Sequence, residues 1–168
     1  MGGAQGWSVE EIRSRLGIST AIYQKVRLGA PQIASIRRAG IERIELLVKA
    51  ESFEPQNPFQ VAEVLGEANR QGMAVVSVHG SLQLDYRSED EDVRSQVMAE
   101  TLETVRFAEE AGASVFVAHF GAGDRAREIV ETVLDETRDL GIVLTTETMG
   151  GDHTRYFGTV DRVGSERF

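Results

Sequence analysis

Gly72-Met73-Ala74-Val75-Val76-Ser77-Val78-His79-Gly80 reads as a helix stop, a short β-branched run and a histidine. Gly112-Ala113-Ser114-Val115-Phe116-Val117-Ala118-His119-Phe120-Gly121 repeats that order. A glycine just past a helix adopts the left-handed backbone at little cost because it has no Cβ. Working outward, Gly40 precedes Glu45 and Gly141 precedes Glu147 in the same way. In each of the four units a helix-patterned stretch ends at glycine, an apolar strand follows, and a group able to bind metal or move protons sits at or near the strand's end. In a parallel βα array the carboxyl ends of the strands share one rim, so Glu45, His79, His119 and Glu147 are expected to converge there.

The rest of the chain fits that alternation. Ser8 and Glu11 have capping-box spacing for a lead-in helix that stops near Gly17, and Ile18–Ile22 follows as a first strand. Pro31 suits the first turn of a helix carrying Ile33 and Ile36, and Arg43–Val48 is the second strand. Asn57 and Pro58 cap and open the next helix, whose Val61, Val64, Leu65 and Ala68 recur at helical spacing. Met73–Val78 is then the third strand. Ser88 and Glu91 suggest another capping box, before a helix with Met98, Leu102, Val105 and Ala108 inside and Glu103, Arg106 and Glu110 outside. Ser114–Ala118 is the fourth strand. Asp124 is the expected cap of a helix burying Ala126, Ile129, Val130, Val133, Thr137 and Leu140, and Ile142–Thr146 is the fifth strand. A glycine-containing loop, Met149–His153, and a helix capped by Thr159 are expected to follow.

Composition narrows the classes. With 168 residues, 41% hydrophobic and 27% charged, the chain has material for one core and is expected to be a single domain over 1–168. No apolar run approaches the roughly 20 residues of a membrane helix, and Met1–Gly6 lacks signal-peptide features, so a soluble cytoplasmic protein is expected. Cysteine is absent, which excludes disulfides and thiolate metal sites and leaves oxygen and imidazole ligands. The net charge of −9 opposes nonspecific attraction to a polyanion, so nucleic acid is the less favoured partner.

Glu147 is the leading candidate for chemistry: it directly follows an apolar strand, and Gly150 and Gly151 let the backbone turn away from a ligand. An exposed loop glutamate is the plainer alternative. His79 and His119 end adjacent strands and suit either a cation or hydrogen bonds to substrate oxygens. Glu45 falls inside its strand, where an ionised carboxylate needs a partner, so it either enters the polar layer of the site or pairs with an arginine. Asp152 and His153 are read as a solvated loop pair.

Taken in order, Ile44-Glu45-Leu46, Val76-Ser77-Val78-His79, the run Ala108–Gly121 and Thr146-Glu147 with its glycine loop resemble the xylose-isomerase-like TIM barrel superfamily. That superfamily includes sugar and sugar-phosphate isomerases and epimerases and the endonuclease IV group. The resemblance spans about Ile18–Val163. It implies an α/β fold, a partial (β/α) TIM-type barrel with about five parallel strands, where a complete barrel has eight strands in roughly 250 residues.

The resemblance also implies a divalent metal ion, Mn, Mg, Co or Zn, at the carboxyl end of the strands. In the isomerases a glutamate matched by Glu147 holds it together with Asp, His and Glu of later strands, which this chain lacks. In the endonuclease group, histidines matching His79 and His119 are zinc ligands and a glutamate matching Glu147 bridges metals. The leading expectation is therefore a metal-dependent sugar or sugar-phosphate isomerase or epimerase working through an enediolate, with Glu147, His79 and His119 as metal ligands. Glu45 joins these three in the catalytic set. The alternatives are an abasic-site phosphodiesterase and a shortened, inactive barrel serving as a binding or assembly module. Open strand edges in a partial barrel predict a homo-oligomer.

Overall fold

The computed structural model describes residues 6–121 and 123–147. The expected loop residues Gly150, Gly151, Asp152 and His153, and the helix expected after Thr159, lie outside the described residues. The chain divides into two compact units, Met1–Val76 and Ser77–Phe168.

The first unit opens with α1 (Val9–Arg15). Ser8 caps it as a reciprocal box: its Oγ accepts from the Glu11 amide at 3.2 Å, and its own amide donates to Glu11 Oε2 at 2.7 Å. β1 (Gly17–Ser19) is shorter than the strand expected over Ile18–Ile22, because Ser19 Oγ accepts from the Ala21 amide at 3.2 Å and turns the chain into a 3₁₀ segment, Thr20–Tyr23. Then come α2 (Ala30–Arg38), β2 (Arg43–Leu47) and α3 (Pro58–Arg70), the last capped by Asn57 as expected. β1 and β2 run parallel, Ser19 opposite Glu45. Ile33, Ile36, Ile44, Leu46, Val64 and Ala68 are buried, the inward positions of two helices and a strand.

β3 (Ala74–His79) crosses the boundary into the second unit, which continues with α4 (Glu91–Glu110), β4 (Val115–Ala118), α5 (Asp124–Glu136) and β5 (Val143–Thr146). β3, β4 and β5 pair in parallel, with His79 opposite Val117 and Ala118 opposite Thr146. The strand order is β1-β2-β3-β4-β5. Parallel neighbours joined by helical crossovers make an α/β fold. Among the described residues no helix is long and apolar enough to cross a membrane.

Several local expectations need correction. Asp90, not Ser88, caps α4, its Oδ1 accepting from the Asp92 and Val93 amides at 2.9 and 3.2 Å. Gly123 occupies the cap position of α5, and Asp124, one residue further on, pairs with Arg127 instead. Gly40, Gly72 and Gly112 have φ of +86, +65 and +77°, the left-handed helix stops that were expected, but Gly141 is not among the positive-φ glycines. The buried stripe of α4 includes Thr101 and Thr104, which satisfy their hydroxyls on the carbonyls of Val97 and Glu100 at 2.7 Å. A threonine that bonds back to its own helix can be buried like an apolar residue.

Candidate metal centre

The parallel register of β3, β4 and β5 brings three strand ends together in the second unit. His79 is the last residue of β3, His119 follows β4, and Glu147 follows β5 with its amide still donating to the Ala118 carbonyl at 3.2 Å. Glu147 therefore sits beside His119, one residue past the Ala118–Thr146 pair. The result is a triangle: His79 Nε2 to Glu147 Oε2 is 3.1 Å, His119 Nε2 to His79 Nε2 is 3.2 Å, and His119 Nε2 to Glu147 Oε2 is 3.4 Å. The rings are tilted by 43° with centroids 5.0 Å apart. Both imidazoles are largely buried, whereas the Glu147 side chain is 55% exposed, so the triangle opens to solvent on the carboxylate side.

His79 Nδ1 lies 2.9 Å from the Gly80 carbonyl, an acceptor only, so Nδ1 carries a proton. On a neutral His79 the Nε2 lone pair then points at a carboxylate oxygen and at a second imidazole nitrogen. Three electron-rich atoms within 3.1–3.4 Å repel one another unless a proton or a cation lies between them. The separations fit a cation: ligands about 2.05 Å from a tetrahedral zinc stand roughly 3.3 Å apart. An imidazole whose second nitrogen donates to a backbone carbonyl is also the usual form of a metal-binding histidine. His79, His119 and Glu147 thus form a group able to hold a metal ion.

The electrostatics agree. Burial, reinforced by repulsion from His79, holds the His119 imidazolium below the usual histidine range, so His119 favours its neutral, ligating form. A hydrogen bond from His79 Nε2, which the ring donates only while it also carries the Nδ1 proton, together with attraction to His119 and His79, holds the Glu147 carboxyl below the usual glutamate value and keeps it ionised; a cation among the three atoms would take the place of that Nε2 proton. His119 Nδ1 and Thr146 Oγ1 are buried side-chain atoms without a hydrogen-bond partner among the described residues.

Glu45, the fourth expected site residue, lies in the first unit, half-buried in β2 opposite Ser19. Two supporting features were not anticipated. The Gly80 carbonyl fixes the His79 ring, and Gly80 itself is required there, since a Cβ at that position would meet Phe116 Cζ at 2.9 Å. The His-Gly pair at a strand end was the sequence signal for both.

A family profile described as xylose isomerase-like TIM barrel matches residues 33–165. No curated protein matches the chain. Among solved structures, a xylose isomerase-like TIM barrel protein from Mycobacterium smegmatis in complex with magnesium is similar at 14% identity and TM-score 0.71, over 89% of this chain and 61% of that one. A D-tagatose 3-epimerase-like protein gives 16% identity and TM-score 0.69, over 86% and 59%. D-psicose 3-epimerase with D-tagatose from Clostridium cellulolyticum H10 gives 15% and 0.64, over 88% and 59%. The chain therefore spans about three fifths of the length of these structures, and at such identities the likeness speaks for the fold. Five parallel strands in chain order, helices between them and a profile match over most of the sequence place the chain in the xylose isomerase-like TIM barrel family as a partial (β/α) barrel.

Proposed function

We propose that this chain is a single barrel-type domain that holds a divalent cation between His79, His119 and Glu147 and acts on a small sugar or sugar phosphate as an isomerase or epimerase. The observation that carries the reading is the convergence of two imidazole nitrogens and a carboxylate oxygen within 3.1–3.4 Å at the ends of neighbouring parallel strands. The similarity to sugar 3-epimerases supports the substrate class. When bound, the cation would polarise a substrate carbonyl and so acidify the neighbouring C–H.

The residues of the chain supply the remainder. His119 in its neutral form, and His79 with its Nδ1 proton on the Gly80 carbonyl, would turn their Nε2 atoms to the cation. Glu147 turns Oε2 toward both imidazoles, which leaves Oε1, on a half-exposed side chain, to take the proton from the carbon next to the carbonyl. The C–H electron pair becomes the double bond of an enediolate. Delivery of a solvent proton to the opposite face gives the epimer, and return of the abstracted proton to the adjacent carbon gives the isomer.

The test is turnover of a panel of ketoses and aldoses, free and phosphorylated, with Mn²⁺, Mg²⁺, Co²⁺ or Zn²⁺ added, each repeated with Glu147→Gln. Metal-dependent interconversion that the substitution abolishes is the expected result. Turnover unaffected by chelation would refute the reading.

A second reading, metal-assisted hydrolysis of a phosphodiester at an abasic site, is favoured by one observation: both imidazoles, and not the glutamate alone, stand in ligand positions. The net charge of −9 weighs against a DNA substrate. Nicking of an abasic duplex without sugar turnover would select it, and inactivity in both assays would select a binding or assembly module.

A further inference from the structure

The three residues after β4 have three different uses. His119 faces the cluster. Phe120 is buried against Tyr86, ring centroids 4.9 Å apart at 65°. Gly121, with φ of +76°, offers no side chain, and the stem of Arg87 lies across it: a Cβ at Gly121 would stand 3.2 Å from Arg87 Cδ and 3.4 Å from Cγ. Two residues span about 7 Å at most, so Arg87 is seated close to the strand end that carries His119.

Arg87 is also held from its own loop. The Tyr86 ring is buried, and its hydroxyl bonds to Thr101 Oγ1 of α4 at 3.1 Å. Thr101 uses its own proton on the Val97 carbonyl, so the tyrosine is the donor. The Arg87 amide donates to Asp85 Oδ1 at 3.1 Å. Backbone and stem are thus placed, while the guanidinium has no carboxylate partner among the described residues. Arg94, Arg125, Arg127 and Arg138 of the same unit each have one, and Arg106, on α4, like Arg87 has none among the described residues. Asp85, Glu89 and Asp90 are close in sequence, yet none forms an ion pair with it among the described residues.

An arginine without a carboxylate partner among the described residues, its stem seated on the residue two past His119 in an acidic chain, is suited to an oxyanion, which its planar fork can grip through two parallel hydrogen bonds. We infer that Arg87 recognises an anionic group, phosphate or carboxylate, on the substrate of the His79–His119–Glu147 site. The inference rests on the sugar-isomerase reading and narrows it to sugars carrying an oxyanion.

The test is calorimetric titration of the full chain in EDTA with inorganic phosphate, a ketohexose phosphate, a hexonate and the parent ketohexose. Wild type is expected to bind phosphate saturably. Arg87→Ala should weaken it roughly 10- to 100-fold and Arg87→Lys by less, because the ammonium keeps the charge but loses the fork. Circular dichroism should be unchanged, since Arg87 is exposed. Whichever sugar anion beats the parent ketohexose in wild type, and loses that advantage in Arg87→Ala, identifies the source of the charge. Absence of oxyanion binding by wild type, or equal binding by Arg87→Ala, overturns the inference. Because EDTA removes cations, failure of Mn²⁺ binding would sink the metal centre without touching this result, and the reverse also holds.

Discussion

Replacing Gly80 by alanine should damage stability and metal affinity together. The added Cβ would lie 2.9 Å from Phe116 Cζ and 3.3 Å from Cε2, where carbon atoms at rest are about 3.5–4.0 Å apart. Phe116 is fully buried in the middle of β4, so its ring cannot swing into solvent. Nor can Gly80 retreat freely, because its amide donates to the Val117 carbonyl at 2.8 Å. Relief needs a shift of somewhat over half an ångström shared between ring and backbone, and overpacking on that scale costs about 1–3 kcal/mol. The same shift moves the carbonyl that holds His79 Nδ1 at 2.9 Å, and loss of such an orienting partner lowers metal affinity about 10- to 100-fold. Urea unfolding followed by circular dichroism measures the first effect and Mn²⁺ calorimetry the second. Phe116→Leu in the same chain should recover part of the stability, giving a double-mutant cycle that is not additive. An unchanged urea midpoint with unchanged Mn²⁺ affinity, or a strictly additive cycle, would refute the steric argument.

Other expectations follow from the same geometry. Tyr86→Phe removes one buried hydrogen bond and should cost about 0.5–1.5 kcal/mol. Burial pushes the Tyr86 phenol up to about 12 from an ordinary value of 10.0, so its contribution is complete below pH 10 and is lost as pH rises toward 12. The wild type should show this alkaline loss, about 3 kcal/mol in size, and the phenylalanine variant should not. Glu147 and His119 are both held below their usual values, so in metal-free protein their contribution is present above those values and is lost as pH falls through the lowered ones. Unfolding midpoints should therefore decline as pH falls from 7, first through His119 and then, below the ordinary glutamate value, through Glu147, and the second part should be missing in Glu147→Gln. The edge of β5 away from β4 has no strand partner among the described residues and Val143 is 60% exposed, so light scattering should show a homo-oligomer that Val143→Lys weakens. A well-folded, strictly monomeric wild type would contradict that expectation.

Sequence patterns disclosed most of the frame because the signals were local. A glycine past a helix, a β-branched run and a proline in a first turn each act within a few residues, and Gly40, Gly72 and Gly112 stop their helices as read. The misreadings came where polar side chains competed for backbone amides. Ser88 and Asp90 were rivals for one helix cap, and Ser19 turned the chain inside an expected strand. Thr101 and Thr104 were hidden because burial of a hydroxyl depends on a backbone carbonyl that hydropathy does not register. At the site, the repeat positions pointed to His79, His119 and Glu147, since parallel register carries equivalent strand ends to one place. Sequence spacing alone could not say which ring nitrogen faces inward. That depends on the Gly80 carbonyl. The seat of Arg87 on Gly121 joins two loops distant in sequence and left no periodic trace.

The central claim is that one cation belongs among His79 Nε2, His119 Nε2 and Glu147 Oε2. Anomalous diffraction from a crystal of the chain soaked in Mn²⁺ tests it most directly. A single strong peak bonded to all three atoms is expected, with His79 Nδ1 still directed at the Gly80 carbonyl. A peak elsewhere, or an Mn²⁺-soaked crystal whose cluster shows no anomalous signal, would contradict it.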